Sequence, residues 1–598
     1  MNSRAGSSPL ESLRDQWLAR WPAALAVWSR YVQLHEPTWC FNEQDEQREQ
    51  LSGSFAMIRL VDHSVVISLR QVAEHRLEPF ALEVLAHEIG HHVYCPADLT
   101  DNARLLTRMR RALPTLEPLA PMVSNLYSDL LINDRLQRTA ELDMAGVYLR
   151  LGSGSQEKMW TLYMRIYELL WNRERGTLAT GPCDARMNQD AQLGARLIRH
   201  CARDWLYGAG KFAALCLPYL IEDDQQRLQR RLAAWSDTRD AGRGGLPDGF
   251  AEMDDDEATG AIHPSEDPAI NGIEPEADDD QPSGLPRGRT PGELSGRKSL
   301  RNYRQPFEYA EVLQAAGAQL DARALVARYY QELARPHLIP FPSRRQPQSV
   351  EPHPEGLEMW DVDAPLDQID WWSTLLASPL VVPGVTTRQR LYGDAAGQDP
   401  DALPLDLYLG VDCSGSMGDP AHHLSYPVLA GAILALSALR AGARVKVVLS
   451  GEPGSTVSTE GFLRELPTVL RTLVSYLGTG YSFGIHRLAE TFSDARRALR
   501  PAHVLIISDH DMFSMLDSES DGRRGWDVAR EALERCGGGG TFVLQLAYRP
   551  ASATKSLERM QREGWSVSLV NDLAELVEFA RQFSRRTYHA SEHSPLRR

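Results

Sequence analysis

After Leu403 the chain alternates short apolar runs with amphipathic stretches, and no other feature narrows its fold so far. The runs are "LPLDLYLGVD", "ARVKVVLS", "AHVLIISD", "GTFVLQLAY" and "WSVSLVND". Continuous apolar strands separated by helices predict a mostly parallel, doubly wound α/β sheet over residues 401–598. Any site should then lie at the carboxyl edge of its strands.

Upstream the pattern changes. From Leu10 to about Ser236 apolar residues recur at three- and four-residue spacing, as in "EKMWTLYMRIYELLWNRE", so residues 1–236 are expected to form a mainly helical domain. One stretch, Ser54 to Val72, is instead rich in branched residues around "DHS" and reads as a small β-hairpin. Between Ala251 and Asp280 there are twelve acidic residues and no Lys or Arg. Self-repulsion is expected to keep that segment disordered, and Pro/Gly-rich chain extends it into a linker over 237–304. Residues 305–400 read as a connector, with a helical part followed by a Trp-rich part. Trp360, Trp371 and Trp372 are expected to pack it onto a neighbouring domain. At 598 residues several cores are needed, so the fold class is multidomain.

Charge and cysteine usage exclude several roles. A net charge of -16 argues against nucleic acid as a partner, because a polyanion needs a cationic surface. The seven cysteines are odd in number and contain no CxxC pair, which suits a reducing compartment. The most apolar run, Tyr426 to Leu439, is shorter than the ~18 residues of a membrane span, and the first residues hold no apolar signal core. A cytoplasmic protein without a membrane partner is expected. "GELSGRKS" from Gly292 nearly matches a phosphate-binding loop, but Arg297 replaces the second glycine and no apolar strand precedes it.

Two stretches carry chemistry. In "FALEVLAHEIGHHVYCPADL", His87 and His91 stand four apart with Glu88 beside the first. On a helix they share a face and direct both imidazoles at one Zn²⁺, while Glu88 is placed as the catalytic general base of a peptidase. A surface helix that happens to carry two histidines is the bland alternative, and a domain that binds metal without cleaving is another. A catalytic zinc needs a third protein ligand. In "SNLYSDLLINDRL" the polar residues Asn125, Asp129 and Asn133 fall at i, i+4 and i+8, which makes Asp129 the expected third ligand. Asp134 is the fallback, His92 a supporting or outward group, and simple capping by these Asn and Asp residues the structural alternative. The segment "HSVVISL" is expected to offer an edge strand to extended substrate.

The second stretch is "LDLYLGVDCSGSMGD", which sets Asp412, Ser414 and Ser416 directly after an apolar strand; "LGTGYS" adds Thr479 and "VLIISDHD" adds Asp509. A carboxylate and hydroxyls at strand tips suit a small hard cation. Together these residues resemble the metal-ion-dependent adhesion site of von Willebrand factor type A domains, over roughly Leu403 to Tyr588. The resemblance implies that Ser414, Ser416 and Thr479 touch Mg²⁺ (or Mn²⁺ or Ca²⁺) directly. Asp412 and Asp509 would act largely through water, and a partner's Asp or Glu would take the remaining position. The HExxH domain, acidic linker and type A domain, in that order, resemble bacterial metallopeptidase-like proteins that accompany MoxR-type AAA+ ATPases. That resemblance implies a zincin-like N-terminal domain, a protein or peptide substrate, and docking on the ATPase. A non-catalytic metal-binding adaptor is the alternative function. A chelatase-like subunit, to which the linker and C-terminal domain are also similar, is a further one, although it has no need of HExxH.

Overall fold

The computed structural model describes residues 8–51, 54–151, 157–223, 245–254, 257, 261–271, 303–345, 350–396, 402–450, 455–492, 500–545 and 551–590. The chain divides into two compact units, Met1–Glu332 with Ala421–Leu424, and Leu333–Pro420 with Ser425–Arg598. The linker residues 272–302, including the Gly292 stretch, lie outside the described residues.

The first unit is mainly helical. Its first helix, Pro9–Leu18, starts at a capping box in which the Ser8 amide and the Glu11 side chain satisfy each other. The HExxH segment is a helix over Ala81–Val93, buried along most of its length. It lies against the Trp21–Trp28 helix, the Ala120–Thr139 helix and a small sheet. Gly90 is there because the neighbours leave no room. A Cβ at that position would stand 2.7 Å from both Ile132 Cγ2 and Trp28 Cζ2. The Trp28 indole also donates to Ala86 O at 2.7 Å, one turn before Gly90, tying the two helices together. Leu85, Ile89, Ile132 and Trp17 share the core at this crossing.

The hairpin expected around "DHS" forms, with Ala56–Ile58 antiparallel to Val65–Ser68. A third strand, Thr38–Cys40, adds in parallel to Val65–Ser68. The strand expected at the edge is therefore the central one, with both of its edges occupied. Ala56–Ile58 and Thr38–Cys40 are the two edge strands, and Ala56–Ile58 packs beside the HExxH helix. The alternation of apolar residues could not rank the strands, because the pairing depends on Thr38–Cys40, far upstream of its partner Val66–Ser68.

The described residues of the acidic segment, 251–254, 257 and 261–271, do not follow the expectation of disorder. They are folded into the first unit, where Asp254, Glu257 and Asp267 find cations supplied from elsewhere in the sequence. Arg304 and Glu257 are both fully buried and face each other fork to fork, with Arg304 Nη2 donating to Glu257 Oε2 at 2.7 Å. Arg108 pairs with Asp254 at 3.2 Å and Lys211 with Asp267 at 3.3 Å. Phe250, Ala251 and Ile270 supply apolar anchors. The Arg304 guanidinium also lies over the Phe250 ring, 4.0 Å from its centroid.

The second unit is built on a six-stranded sheet in the spatial order Thr456–Ser458, Val445–Ser450, Asp406–Asp412, Ala502–Asp509, Gly537–Gln545, Ser566–Leu569. All neighbours pair in parallel except the short Thr456–Ser458 edge strand. Asp406–Asp412 and Ala502–Asp509 are buried throughout, as parallel strands covered on both faces must be. The first strand in sequence lies beside the fourth, so connections leave in opposite directions at the carboxyl ends of Asp406–Asp412 and Ala502–Asp509.

The Trp-rich part of the connector belongs to this unit and folds on itself. Val350–Met359 pairs antiparallel with Arg388–Ala396. Trp360 is buried at the end of this ladder and donates to Pro365 O at 3.1 Å. Trp371 and Trp372 do not follow the expectation and stand exposed on a short helix, Trp371–Ala377. Its buried residue is the polar Thr374, whose hydroxyl accepts from the Arg388 amide at 2.9 Å. Among the described residues no helix is long and apolar enough to cross a membrane.

Removing one partner of the Arg304–Glu257 pair leaves a buried charge without its counter-ion. Arg304→Leu is expected to cost about 3–5 kcal/mol in denaturant unfolding and to open the 245–271 region to limited proteolysis.

Candidate metal centres

In the first unit the Ala81–Val93 helix presents His87 and His91 one turn apart, and the Ala120–Thr139 helix brings Asp129 against them. The three ligand atoms form a triangle. His87 Nε2 and His91 Nε2 are 3.3 Å apart, and Asp129 Oδ1 stands 3.7 Å from the first and 3.5 Å from the second. A tetrahedral ion with bonds of ~2.0–2.1 Å needs ligand atoms about 3.3–3.4 Å apart. The spacing fits a zinc-sized ion, and two imidazoles with a carboxylate are donors that zinc accepts.

The other ring nitrogens are committed, which fixes the tautomers this arrangement needs. His87 Nδ1 meets Asn133 Oδ1 at 2.7 Å, and His91 Nδ1 meets Cys95 O at 3.1 Å. Each acceptor holds the proton on Nδ1 and turns the Nε2 lone pair toward the centre. Asn125 Nδ2 donates to Asp129 Oδ2 at 3.2 Å, which leaves Oδ1 facing the histidines. The Asn125, Asp129 and Asn133 stripe thus works as a unit of one ligand and two orienting amides.

Asn133 is itself held in place. Its Nδ2 donates to the hydroxyls of Tyr148 and Tyr167, each at 3.0 Å, and those phenols bond one another and Tyr163 at 3.0–3.2 Å. Burial pushes the Tyr163 and Tyr167 phenols well above their ordinary value, so the cluster is neutral. Its amide and phenols lie next to the metal triad without adding charge to it. Sequence reasoning missed the tyrosines. Only the helical spacing of Tyr163 and Tyr167 marked them as sharing a face.

A cavity of about 40 Å³ adjoins the triad, lined by Ser54, Phe55, Val84, Glu88, Met144, Val147, Tyr148 and Leu151 along with His87, Asp129 and Asn133. That is room for an ion and one or two waters. Glu88, only 1% exposed, is in the wall as the helical spacing requires. The fallback ligand Asp134 points elsewhere and pairs with Arg138 at 3.3 Å, while burial raises its carboxyl above the ordinary range. His92 is outside the triad, stacked on His63 with ring centroids 3.9 Å apart.

In the second unit the five expected residues converge at the switch point of the sheet. Asp412 and Asp509 end the adjacent strands Asp406–Asp412 and Ala502–Asp509. Ser414 N donates to Asp412 Oδ1 at 2.8 Å, and Ser508 Oγ donates to Asp412 Oδ2 at 2.5 Å. Ser414 Oγ and Ser416 Oγ are 3.0 Å apart, and Ser416 Oγ donates to Asp509 Oδ2. Adjacent ligands on an octahedral Mg²⁺ with bonds of ~2.1 Å also stand about 3.0 Å apart. Thr479 joins through its backbone, accepting from Gly415 N at 2.9 Å and donating to Cys413 O at 3.3 Å. Its hydroxyl donates to Tyr481 O at 3.1 Å, so the side chain is bonded within its own loop.

Burial pushes the Asp412 carboxyl up, the Ser508 and Ser414 donors pull it down, and the neighbouring Asp509 charge raises it further. Two carboxylates this close and this buried favour a cation between them. His510 and Asp511 follow Asp509 in an exposed position, with His510 Nε2 3.2 Å from Asp511 Oδ1.

No protein-family model matches this chain, and no curated protein matches it.

Because Asn133 orients His87 without touching the ion position, Asn133→Ala is expected to weaken zinc binding by about 10–100-fold, measured by chelator competition. Asp134→Ala, outside the triad, is expected to leave zinc affinity unchanged in the same assay.

Proposed function

We propose that the first unit is a zincin-like metallopeptidase domain in which His87, His91 and Asp129 hold Zn²⁺ and Glu88 is the general base. We propose that the second unit is a von Willebrand type A domain whose Asp412, Ser414, Ser416, Thr479 and Asp509 hold Mg²⁺ for docking on a partner. The observation that carries the first reading is the 3.3–3.7 Å triangle of His87, His91 and Asp129 with both Nδ1 atoms already committed.

A zinc ion held there supplies Lewis acidity toward a scissile carbonyl. Glu88 follows His87 directly on the same helix and lines the same cavity, where it takes a proton from the attacking water and returns it to the leaving amine. Asn133 and the Cys95 carbonyl keep the imidazoles from rotating during that exchange.

The switch-point site supports recognition. Its oxygen donors suit a cation with one open position, which an incoming Asp or Glu fills. A MoxR-type AAA+ ATPase is the partner this reading assigns, in keeping with the order of domains, and the cytoplasm is the compartment. A second reading, a metal-binding adaptor that does not cleave, is favoured by the burial of the site, with His91 fully buried and Glu88 1% exposed.

The test compares zinc-loaded protein with Glu88→Gln on a proteome-derived peptide library. Cleavage is expected to fall by roughly 10²–10⁴-fold while bound zinc is unchanged. Equal cleavage by both proteins contradicts the assignment of Glu88, and absence of cleavage with zinc bound supports the adaptor. Binding of the ATPase is expected to require Mg²⁺ and to be lost in Asp412→Ala.

A further inference from the structure

The antiparallel ladder of Val350–Met359 with Arg388–Ala396 carries the short helix Trp371–Ala377 between its strands. That helix is inside out. Its N-cap Asp370 accepts from the Ser373 amide at 3.0 Å, and polar Thr374 is its fully buried residue. Trp371, Trp372, Leu375 and Leu376 fall at i, i+1, i+4 and i+5, one helical face, and all four are exposed, Trp372 to 79% and Leu376 to 82%. Met359 and Leu366, in the same arm, are exposed as well, at 66% and 68%. Apolar side chains clustered this way mark a surface that another molecule covers, whereas scattered ones do not.

The surroundings select the partner. Residues 350–396 contain eight carboxylates against two arginines and no lysine. Arg390 is committed to Asp370 at 2.6 Å, while Asp361, Asp363 and Asp367 are exposed in the segment that leads into the helix. An anionic bilayer repels such a rim. A second copy would bring the same acidic rim against itself, at a cost in like-charge repulsion.

We propose that this arm is a docking surface for a protein whose apolar groove or helix face is bordered by Lys or Arg. The two exposed tryptophans are its anchors, as large aromatic side chains are in most interface centres. The acidic border sets orientation and speeds encounter. The arm shares no residue with either metal centre, so its role stands or falls independently of theirs.

The experiment uses the full chain and a synthetic amphipathic peptide with leucine on one face and lysine at its borders, beside a counterpart with glutamate in place of lysine. Sedimentation velocity and co-sedimentation with phosphatidylcholine–phosphatidylserine vesicles run in parallel. The Leu/Lys peptide is expected to bind, to weaken about tenfold or more in Trp372→Ser/Leu376→Ser, and to weaken severalfold in Asp363→Asn/Asp367→Asn at low salt. The Leu/Glu peptide is expected not to bind. Unchanged affinity in Trp372→Ser/Leu376→Ser overturns the proposal. So does dimerisation that this variant abolishes, which makes the occupant a second copy, or vesicle binding that it abolishes, which makes it a membrane. Circular dichroism and melting temperature check folding, and Met359→Ser/Leu366→Ser gives the same reading if the first variant is unstable.

Discussion

The close crossing of two helices at Gly90 is the constraint on which the first unit's site depends. Ile132 occupies the space a side chain at Gly90 would need, and Trp28 closes on it from the other helix. That approach puts Asp129, nearly one turn before Ile132, level with His87 and His91. A wider crossing would separate the carboxylate from the imidazoles and leave a pair of histidines with no third donor. The glycine inside the motif therefore belongs to the geometry of the triad as much as the histidines do. Behind the triad, Asn133 and the tyrosine hydroxyls convert packing into orientation, since each bond leaves its neighbour one acceptor or donor to spend on the next.

The second unit reaches its site by topology. Parallel strands buried on both faces must have loops leaving at their carboxyl ends, and the reversal of direction between Asp406–Asp412 and Ala502–Asp509 opens a gap there. Asp412 and Asp509 end those two strands, so the gap is lined by carboxylates before any loop is considered. The loops then bring Ser414 and Ser416 over it. The buried Asp412 carboxyl is held by donors from Ser508 and Ser414, which orient it while Asp509 presses on it electrostatically.

What the sequence disclosed follows from which interactions are local. His87 and His91 are paired by helical periodicity, and the Asn125, Asp129 and Asn133 stripe is visible for the same reason. The parallel sheet was legible because five of its strands are long apolar runs. The Thr456–Ser458 strand was not, being three residues long and partly exposed. Long-range pairings were hidden throughout. Thr38–Cys40 takes one edge of the hairpin, so the central and edge strands were exchanged in the reading. The acidic segment looked unable to fold because its counter-ions, Arg108, Lys211 and Arg304, lie far from it in sequence. Tryptophan is usually a burial signal, but here Thr374 fills the buried position of its helix and Trp371 and Trp372 face outward. Tyr148 carried no local signal at all, although it lines the cavity and holds Asn133.

The account's central claim is that His87, His91 and Asp129 form one zinc site, and X-ray absorption at the zinc edge of the metal-loaded chain tests it most directly. The account predicts nitrogen and oxygen ligands at about 2.0–2.1 Å with outer-shell scattering from two imidazoles, falling to one in His91→Ala. A sulfur ligand at about 2.3 Å, or a spectrum unchanged by His91→Ala, would contradict it.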